Sequence, residues 1–326
     1  MAWYNKWIVG SDNPSDLVSL SDGSNFSVGY QFLDSFYSYY SLYYFSVTYS
    51  GLSMDNVDQG RLDDCYFLAS LAEVVSQSPK NIHNMVVSAG DNVVSVRFFV
   101  DGKPVYIVEN AAMPQVSYYG SNYSLLSNNA LWANLVEKAY AELQGGYATT
   151  GNPNSSGNSW SSIGNGGSAL FALETITGAS QLIQYAAGGG SWAETDYDSS
   201  LHVTGSGPAL TTADLQAVLI AELQQGYSLV LNSRTDATDA SGLRTLVANH
   251  SFSVYGFDSD SGKFQLRNPW GTAGYGAPTW APKFEVDLAT LLTAGDSFAV
   301  AAPTAESTGG ITYFTVQSPT KEIVQG

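Results

Sequence analysis

The sequence predicts an α+β chain of two lobes, one rich in helices and one built on antiparallel strands. Three observations carry that expectation. An apolar run beginning at Cys65 and a second one over 131–143 have the spacing of buried helices. From residue 227 onward, short segments of alternating apolar and polar residues are separated by turn residues, the pattern of strands. Between the two regions lies a loose stretch from Gly188-Gly189-Gly190 to Gly207-Pro208. The expected divisions are therefore 1–50, 51–185, 186–302 and a tail over 303–326.

Residues 1–50 read as a lead-in segment. Its densest part, 37–45, holds Tyr37, Tyr39, Tyr40, Tyr43, Tyr44 and Phe45. So many aromatics need covering, and a strand or lead-in packed on the core is expected over a carbohydrate- or partner-binding surface. In the helix-rich lobe, 92–100 alternates and turns at Asp101-Gly102 into 103–108, the signature of a β-hairpin. The helix over 131–143 places Leu131, Leu135, Ala139 and Leu143 four apart, which suits one buried face. Residues 145–167, rich in Gly, Ser and Asn, read as an irregular loop, followed by a short helix over 168–177. The second lobe opens with a helix over 212–224, with polar residues at its start and Gly226 just past its end. Strands are expected over 227–232, 250–257, 264–267 and 298–302, and 311–316 is a further strand candidate within the tail.

Composition narrows the function. Lys and Arg number 12 against 29 Asp and Glu, a net charge of −17. Such a chain suits neither a nucleic-acid backbone nor an anionic membrane surface. No stretch reaches the length of a membrane-spanning helix. The first residues, Met1-Ala2-Trp3-Tyr4-Asn5-Lys6-Trp7, lack the apolar centre of a secretory signal. Scarce lysine, abundant Ser, Gly, Asn and Tyr, and no possible internal disulfide lean towards a secreted or surface-associated bacterial protein without a cleaved signal. They suit a module of a longer chain equally. No Gly-rich pattern precedes a Lys-Ser/Thr pair, so nucleotide binding has no support. Oligomeric state is not legible.

Cys65 is the single cysteine, in Gln59-Gly60-Arg61-Leu62-Asp63-Asp64-Cys65-Tyr66-Phe67-Leu68. A lone thiol is ordinarily a small buried hydrophobe. Here Asp63 and Asp64 lead into the apolar run, which sets the sulfur at a helix start, where backbone N–H groups and the helix dipole favour thiolate. Two downstream segments supply what a thiolate needs. His250 begins the strand 250–257, and 264–267 leads into Asn268-Pro269-Trp270-Gly271; the turn 258–262 between them closes a hairpin that brings His250 and Asn268 side by side. Asp258-x-Asp260-x-Gly262 mimics a calcium loop only in part. Its sixth position is Lys263 where Gly is needed, and its twelfth is Pro269 where Glu is needed. His83 and His202 are the alternative histidines. Neither leads to an Asn-Pro-Trp segment, and both read as surface residues.

Each residue type has a chemical reason. His250 can take the thiol proton, giving a thiolate–imidazolium pair, and return a proton to a leaving amine. Asn268 can fix the imidazole's tautomer and plane, and Trp270 can cover that bond. The Gln59 amide and the Cys65 backbone N–H can hold the oxyanion of a tetrahedral intermediate. The order Cys, His, Asn along the chain is that of papain-like cysteine hydrolases.

On these segments the chain resembles the protease core of the calpain family of cysteine proteases. That family carries Gln-Gly-x-x-Gly-Asp-Cys-Trp, matched by 59–66; His-Ala-Tyr-Ser-Val, matched by 250–254; and Arg-Asn-Pro-Trp-Gly, matched by 267–271. Its Trp-x-x-Leu-Leu-Glu-Lys-Ala-Tyr-Ala helix resembles Trp132 through Ala141. The resemblance implies a two-lobed papain-like core with the active site in the cleft. It implies Cys65 as nucleophile, His250 as acid/base, Asn268 as orienting residue and Gln59 as oxyanion donor, with Asp64 and Trp270 in support. It also implies an endopeptidase acting on polypeptides through a thioester acyl-enzyme. Two other readings stand beside it: a catalytically weak protein-binding member of the same fold, and another thiol acyl-transferase such as a transglutaminase-like enzyme.

Departures from the family pattern matter. Asp63 replaces a Gly and Tyr66 a Trp, and the added carboxylate should raise the Cys65 pKa. Regulated members of the family bind calcium in both halves of the core. The positions of two acidic ligands are here Asn56 and Ala130, and 272–278 contains no acid. The expectation is a protein without cofactor whose activity does not depend on calcium.

Overall fold

The computed structural model describes residues 5–6, 17–19, 25–32, 52–90, 93–110, 112–118, 121–124, 130–144, 159–271 and 279–305. The aromatic run over 37–45 and the strand expected over 311–316 lie outside them. The first lobe contains strands β1 (Asn5–Lys6), β2 (Leu17–Ser19) and β3 (Asn25–Phe32), then helices α1 (Cys65–Gln77) and α2 (Pro79–Met85). Strands β4 (Val86–Gly90), β5 (Val93–Val100), β6 (Lys103–Asn110), β7 (Ala112–Tyr118) and β8 (Ser121–Ser124) follow. Helices α3 (Leu131–Leu143), α4 (Ser159–Ile163) and α5 (Ala169–Thr177) complete it. The second lobe runs β9 (Leu182–Gly188), β10 (Ser191–Tyr197), β11 (Val203–Gly205), α6 (Thr212–Gln224), β12 (Ser228–Ser233), β13 (His250–Asp258), β14 (Lys263–Arg267), β15 (Lys283–Val286), α7 (Leu288–Ala294) and β16 (Ser297–Ala301). This is the α+β, two-lobed architecture of a papain-like core.

Helix α1 is the centre of the first lobe. From Cys65 to Gln77 it contains no Gly or Pro, and every residue from Tyr66 to Val75 is buried, so it is covered on all sides. Phe67 stacks on Tyr140 of α3, with centroids 3.7 Å apart and planes 3° from parallel. The helix stops at Ser78, and Pro79 then occupies the first turn of α2, where a missing N–H breaks no helical bond. Helix α5 begins with the Ser168 hydroxyl accepting the Phe171 N–H and ends at Gly178 in the left-handed conformation. The β5–β6 hairpin turns at Asp101 and Gly102, both with positive φ (53° and 69°).

The eight strands of the second lobe form one sheet in the order β11-β10-β9-β16-β12-β13-β14-β15. Its two faces differ in side-chain size. Val230, Ala299 and Ala301 join the core around α1, whereas Leu229, Leu231, Phe298 and Val300 form a second core with Leu215 and Leu219 of α6 and Leu291 of α7. Successive strand residues point to opposite faces, so two hydrophobic layers come from one run of sequence. The small face lets the helix approach closely enough for the Ser253 hydroxyl on β13 to donate to the Ala69 carbonyl on α1 at 2.8 Å.

Two local expectations need correction. The stretch from Gly188 to Pro208 is not loose, because it contains β10 and β11. Gly189 and Gly190 have φ of 60° and 81°, which is what a two-residue hairpin turn demands, and they join β9 to β10. The glycines hid a strand whose Trp192 is fully buried. Nor is the region over 145–167 wholly irregular. Helix α4 lies within it, and Trp160, fully buried, anchors that short helix against the core. His202 is exposed as expected, whereas His83 on α2 is half-buried.

Candidate active site

Cys65 is the first residue of α1, so the sulfur sits where the helix leaves its N–H groups without intrahelical partners. The preceding residue, Asp64, occupies the capping position but makes no side-chain cap. Its carboxyl is fully buried and faces Glu137 of α3, also fully buried. Two carboxyls can hydrogen-bond to each other only if one carries a proton. Burial, with the Asp63 charge adding to it, pushes Asp64 up to about 7.

The base side is built by the β13–β14 hairpin. Asn249 takes a left-handed conformation (φ 56°) that Asn tolerates, and His250 then opens β13. Ser253 pairs with Arg267 across the hairpin, which puts the next residue, Asn268, within diagonal reach of His250. His250 Nε2 lies 2.9 Å from Asn268 Oδ1. That same oxygen accepts the Trp270 backbone N–H at 3.0 Å. A backbone N–H can only donate, so Trp270 fixes which way the Asn268 amide points, and His250 Nε2 must be the protonated nitrogen. Nδ1 is then left as the proton acceptor.

Aromatic rings enclose the imidazole. Trp270 lies over it with centroids 4.6 Å apart, and Phe252 meets it edge-on at 4.9 Å. Trp280 backs Trp270 at 5.3 Å and donates its Nε1–H to the Gly271 carbonyl at 2.9 Å. The same shielding that protects the His–Asn bond penalises the imidazolium. Burial lowers His250 to about 4, against the opposing pull of Asn268 and the Asp63 charge.

Burial likewise pushes the Cys65 thiol up to about 11, with the charges of Asp64 and Asp63 adding to it. The groups that pull the other way belong to Ser251, its backbone and its side chain. The expected effect of Asp63 therefore has the right sign, but burial is the larger cause. Burial thus opposes charge on both the thiol and the imidazole.

Gln59 is tied in twice. Its backbone N–H donates to the Pro269 carbonyl at 2.7 Å, and its side-chain Nε2 donates to the Leu62 carbonyl at 2.6 Å, leaving a second N–H on that nitrogen. Thus α1 supplies Cys65, the segment before it supplies Gln59, and one hairpin supplies His250, Asn268 and Trp270. The sequence reading passed over Ser251 and Glu137. Ser251 is legible only as the neighbour of His250, and Glu137 only as part of the Glu-Lys-Ala-Tyr match.

At two of the family's calcium positions, Asn56 and Ala130 supply no carboxylate. Asn56 Oδ1 already accepts the Ser53 N–H at 3.0 Å, closing a capping box on the turn Met54–Asn56, and the Trp132 Nε1–H at 3.4 Å. Ala130 offers no side-chain oxygen, whereas calcium takes six to eight oxygen ligands with carboxylates among them. Residues 272–278 lie outside the described residues. Among the described residues, no three His, Cys, Asp or Glu side chains gather where they could hold a metal.

Residues 41–285 match the calpain family of cysteine proteases. The chain belongs to that family. Calpain clp-4 of Caenorhabditis elegans is 28% identical over 236 residues, covering 68% of this chain and 28% of the relative. The calpain-type cysteine protease DEK1 of Zea mays is 26% identical over 225 residues, covering 67% of this chain and 9% of the relative. Calpain-A of Drosophila melanogaster is 26% identical over 250 residues, covering 71% and 26%. The chain therefore spans under a third of the length of each of these relatives. No helix among the described residues is long and apolar enough to cross a membrane.

Proposed function

We propose that this calpain-family chain is a cysteine endopeptidase that hydrolyses polypeptides through a thioester and does so without calcium. The observation that carries the reading is the His250–Asn268 bond, held in one polarity by the Trp270 N–H, on the hairpin packed against the helix that Cys65 opens. Cys65 Sγ attacks the carbonyl carbon of a peptide bond as its proton passes to His250 Nδ1. Burial opposes charge on both groups, which supports proton transfer in concert with attack. The second N–H of Gln59 Nε2 and the backbone N–H of Cys65 receive the oxyanion. Collapse breaks the C–N bond, the His250 imidazolium gives its proton to the leaving amine, and a thioester remains. Water, deprotonated by His250, hydrolyses the thioester and restores the thiol. Calcium independence is supported by the engagement of Asn56 Oδ1 with protein donors and by Ala130.

The test is cleavage of an unfolded polypeptide at neutral pH under reducing conditions, with calcium or a chelator, beside Cys65→Ala. Cleavage that survives chelation and disappears in the variant is the expected outcome. Cleavage only with calcium would overturn the calcium reading alone. Cys65-independent cleavage, or none in either condition, would remove the enzyme reading and favour a protein-binding member of the family.

A further inference from the structure

Two short segments on opposite lobes lie side by side. One is Asp55 to Gln59, ending in the oxyanion donor; the other is Arg267 to Gly271, beginning one residue before the orienting asparagine. Arg267 Nη2 donates to Asp58 Oδ1 at 2.8 Å and to the Val57 carbonyl at 2.6 Å. Its Nε donates to Asp55 Oδ1 at 3.3 Å. Lys283 Nζ on β15 reaches Asp55 at 2.9 Å. The Gln59 N–H completes the docking on the Pro269 carbonyl. Gly271, at φ 60°, presses so closely on the Asp58 carboxylate that any β-carbon there would collide with it.

These ion pairs are not equivalent. Asp55 and Lys283 are 58% and 43% exposed, so their pair is screened by water and holds little. The Arg267 and Asp58 side chains are 3% and 10% exposed. A buried guanidinium that grips a carboxylate and a backbone carbonyl at once permits one geometry, and its worth lies more in specifying that geometry than in net stability. That geometry joins the immediate neighbour of Gln59 to the immediate neighbour of Asn268.

We propose that the Arg267–Asp58 ion pair is a positioning device that registers Gln59 against the His250–Asn268 pair, so that oxyanion donor and base meet at the same substrate carbonyl. The proposal rests on the endopeptidase reading above. Oxyanion donors act only at the distance where negative charge develops, and a shift of about 1 Å costs on the order of 100-fold in rate. Asp58 and Arg267 touch no substrate themselves; their effect on turnover passes through Gln59.

A double-mutant cycle tests this directly. Asp58→Asn, Gln59→Ala and the double variant are assayed on one peptide substrate, with thermal melting to verify folding and iodoacetamide alkylation of Cys65 as a reaction that needs no oxyanion donor. Asp58→Asn should lower kcat by about 10- to 100-fold with KM within about threefold. Alkylation at neutral pH should stay within about threefold of the unsubstituted protein. In the Gln59→Ala background the same substitution should cost less than about threefold, since the residue it positions is gone. Arg267→Lys, which keeps charge but not the forked geometry, should repeat the pattern and serves if Asp58→Asn does not fold. Additive losses, an unchanged kcat in Asp58→Asn, or two variants that both fail to fold would each overturn the proposal by making the pair structural only. A Gln59→Ala variant as active as the unsubstituted protein would also overturn it, while Cys65-dependent cleavage would leave the endopeptidase reading standing. Absence of any Cys65-dependent cleavage would take both down together.

Discussion

The two sides of the candidate site bury polar groups differently. In the first lobe, burial pushes carboxyls up: Asp64, which faces Glu137, then Glu73, and also Glu109, where the Lys138 charge pulls the other way. On the other side, the hairpin buries the Arg267 charge in an ion pair with Asp58, while the His250 and Trp270 N–H groups converge on Asn268 Oδ1 in neutral hydrogen bonds under aromatic cover. His250, the proposed base, is thus fixed by neutral hydrogen bonds, whereas Cys65, the proposed nucleophile, sits in a region that opposes more negative charge. On both sides, burial holds these groups in place while opposing charge on them.

The comparison breaks first at His250. His250→Ala should lower kcat by about 10²- to 10⁴-fold, the usual worth of a positioned general base. A loss of less than tenfold in steady-state cleavage would mean that the hairpin does not carry the base. The next effect concerns stability on the nucleophile side. The folded-state pKa of Asp64 is raised from 3.8 to about 7, so between those values the folded protein binds a proton that the unfolded chain has released. Stability from this group is present below pH 3.8 and declines as pH rises towards 7, by an order of a few kcal/mol. Glu109, raised to about 8, acts in the same direction. Through Asp64, melting temperature should fall as pH rises from 5 to 7, set against the opposite contribution of His250, whose lowered pKa favours the folded state as pH rises from about 4 to 6.5. Asp64→Asn, which can donate to Glu137 without titrating, should flatten that slope; an equally steep slope in the variant would refute the assignment.

Much of this arrangement was readable from sequence, for identifiable reasons. Helix α1 and the β13–β14 hairpin announce themselves because periodicity, a Gly-containing turn and a proline stop all agree, and Cys65, His250 and Asn268 lie at their ends. The β9–β10 hairpin was missed because Gly188 to Gly190 looks like a flexible break, although two positive-φ glycines are also a tight turn. Helix α4 was missed because five residues give too little period to detect, and only burial of Trp160 reveals what they pack against. The Arg267–Asp58 pair joins residues 209 apart in sequence, and neither segment carries a local pattern naming its partner. The Asp64–Glu137 contact is equally silent, since an Asp before a helix reads as a cap until burial shows it turned inward.

On the base side, a smaller effect sharpens the comparison. Trp270→Ala keeps the backbone N–H that orients Asn268 but removes the ring over His250. Water should then reach the imidazole, raising its pKa from about 4 towards the ordinary value as burial is relieved, and weakening the His–Asn bond. Turnover should fall by about tenfold, with the acid limb of the kcat/KM profile moving to higher pH. An unmoved acid limb would show that the ring's cover is not what holds the imidazole neutral.

The smallest expected change is on the nucleophile side and separates charge from burial there. Burial is the first cause of the raised thiol, and the Asp64 and Asp63 charges add to it. Asp63→Gly removes one of those charges and keeps the backbone carbonyl that accepts the Gly166 N–H at 2.9 Å. The Cys65 pKa should therefore move down from about 11, by less than the whole displacement from the ordinary thiol value. Alkylation by iodoacetamide followed against pH reads that shift. His250, which Asp63 helps to hold protonated, should move down in the same variant, so the alkaline rise of alkylation and the acid limb of turnover travel together. Movement of the thiol alone would mean that Asp63 acts on the sulfur through a local contact. Movement of neither would leave burial as the sole control of the nucleophile, and the contrast between the two sides of the cleft would then be one of packing and not of charge.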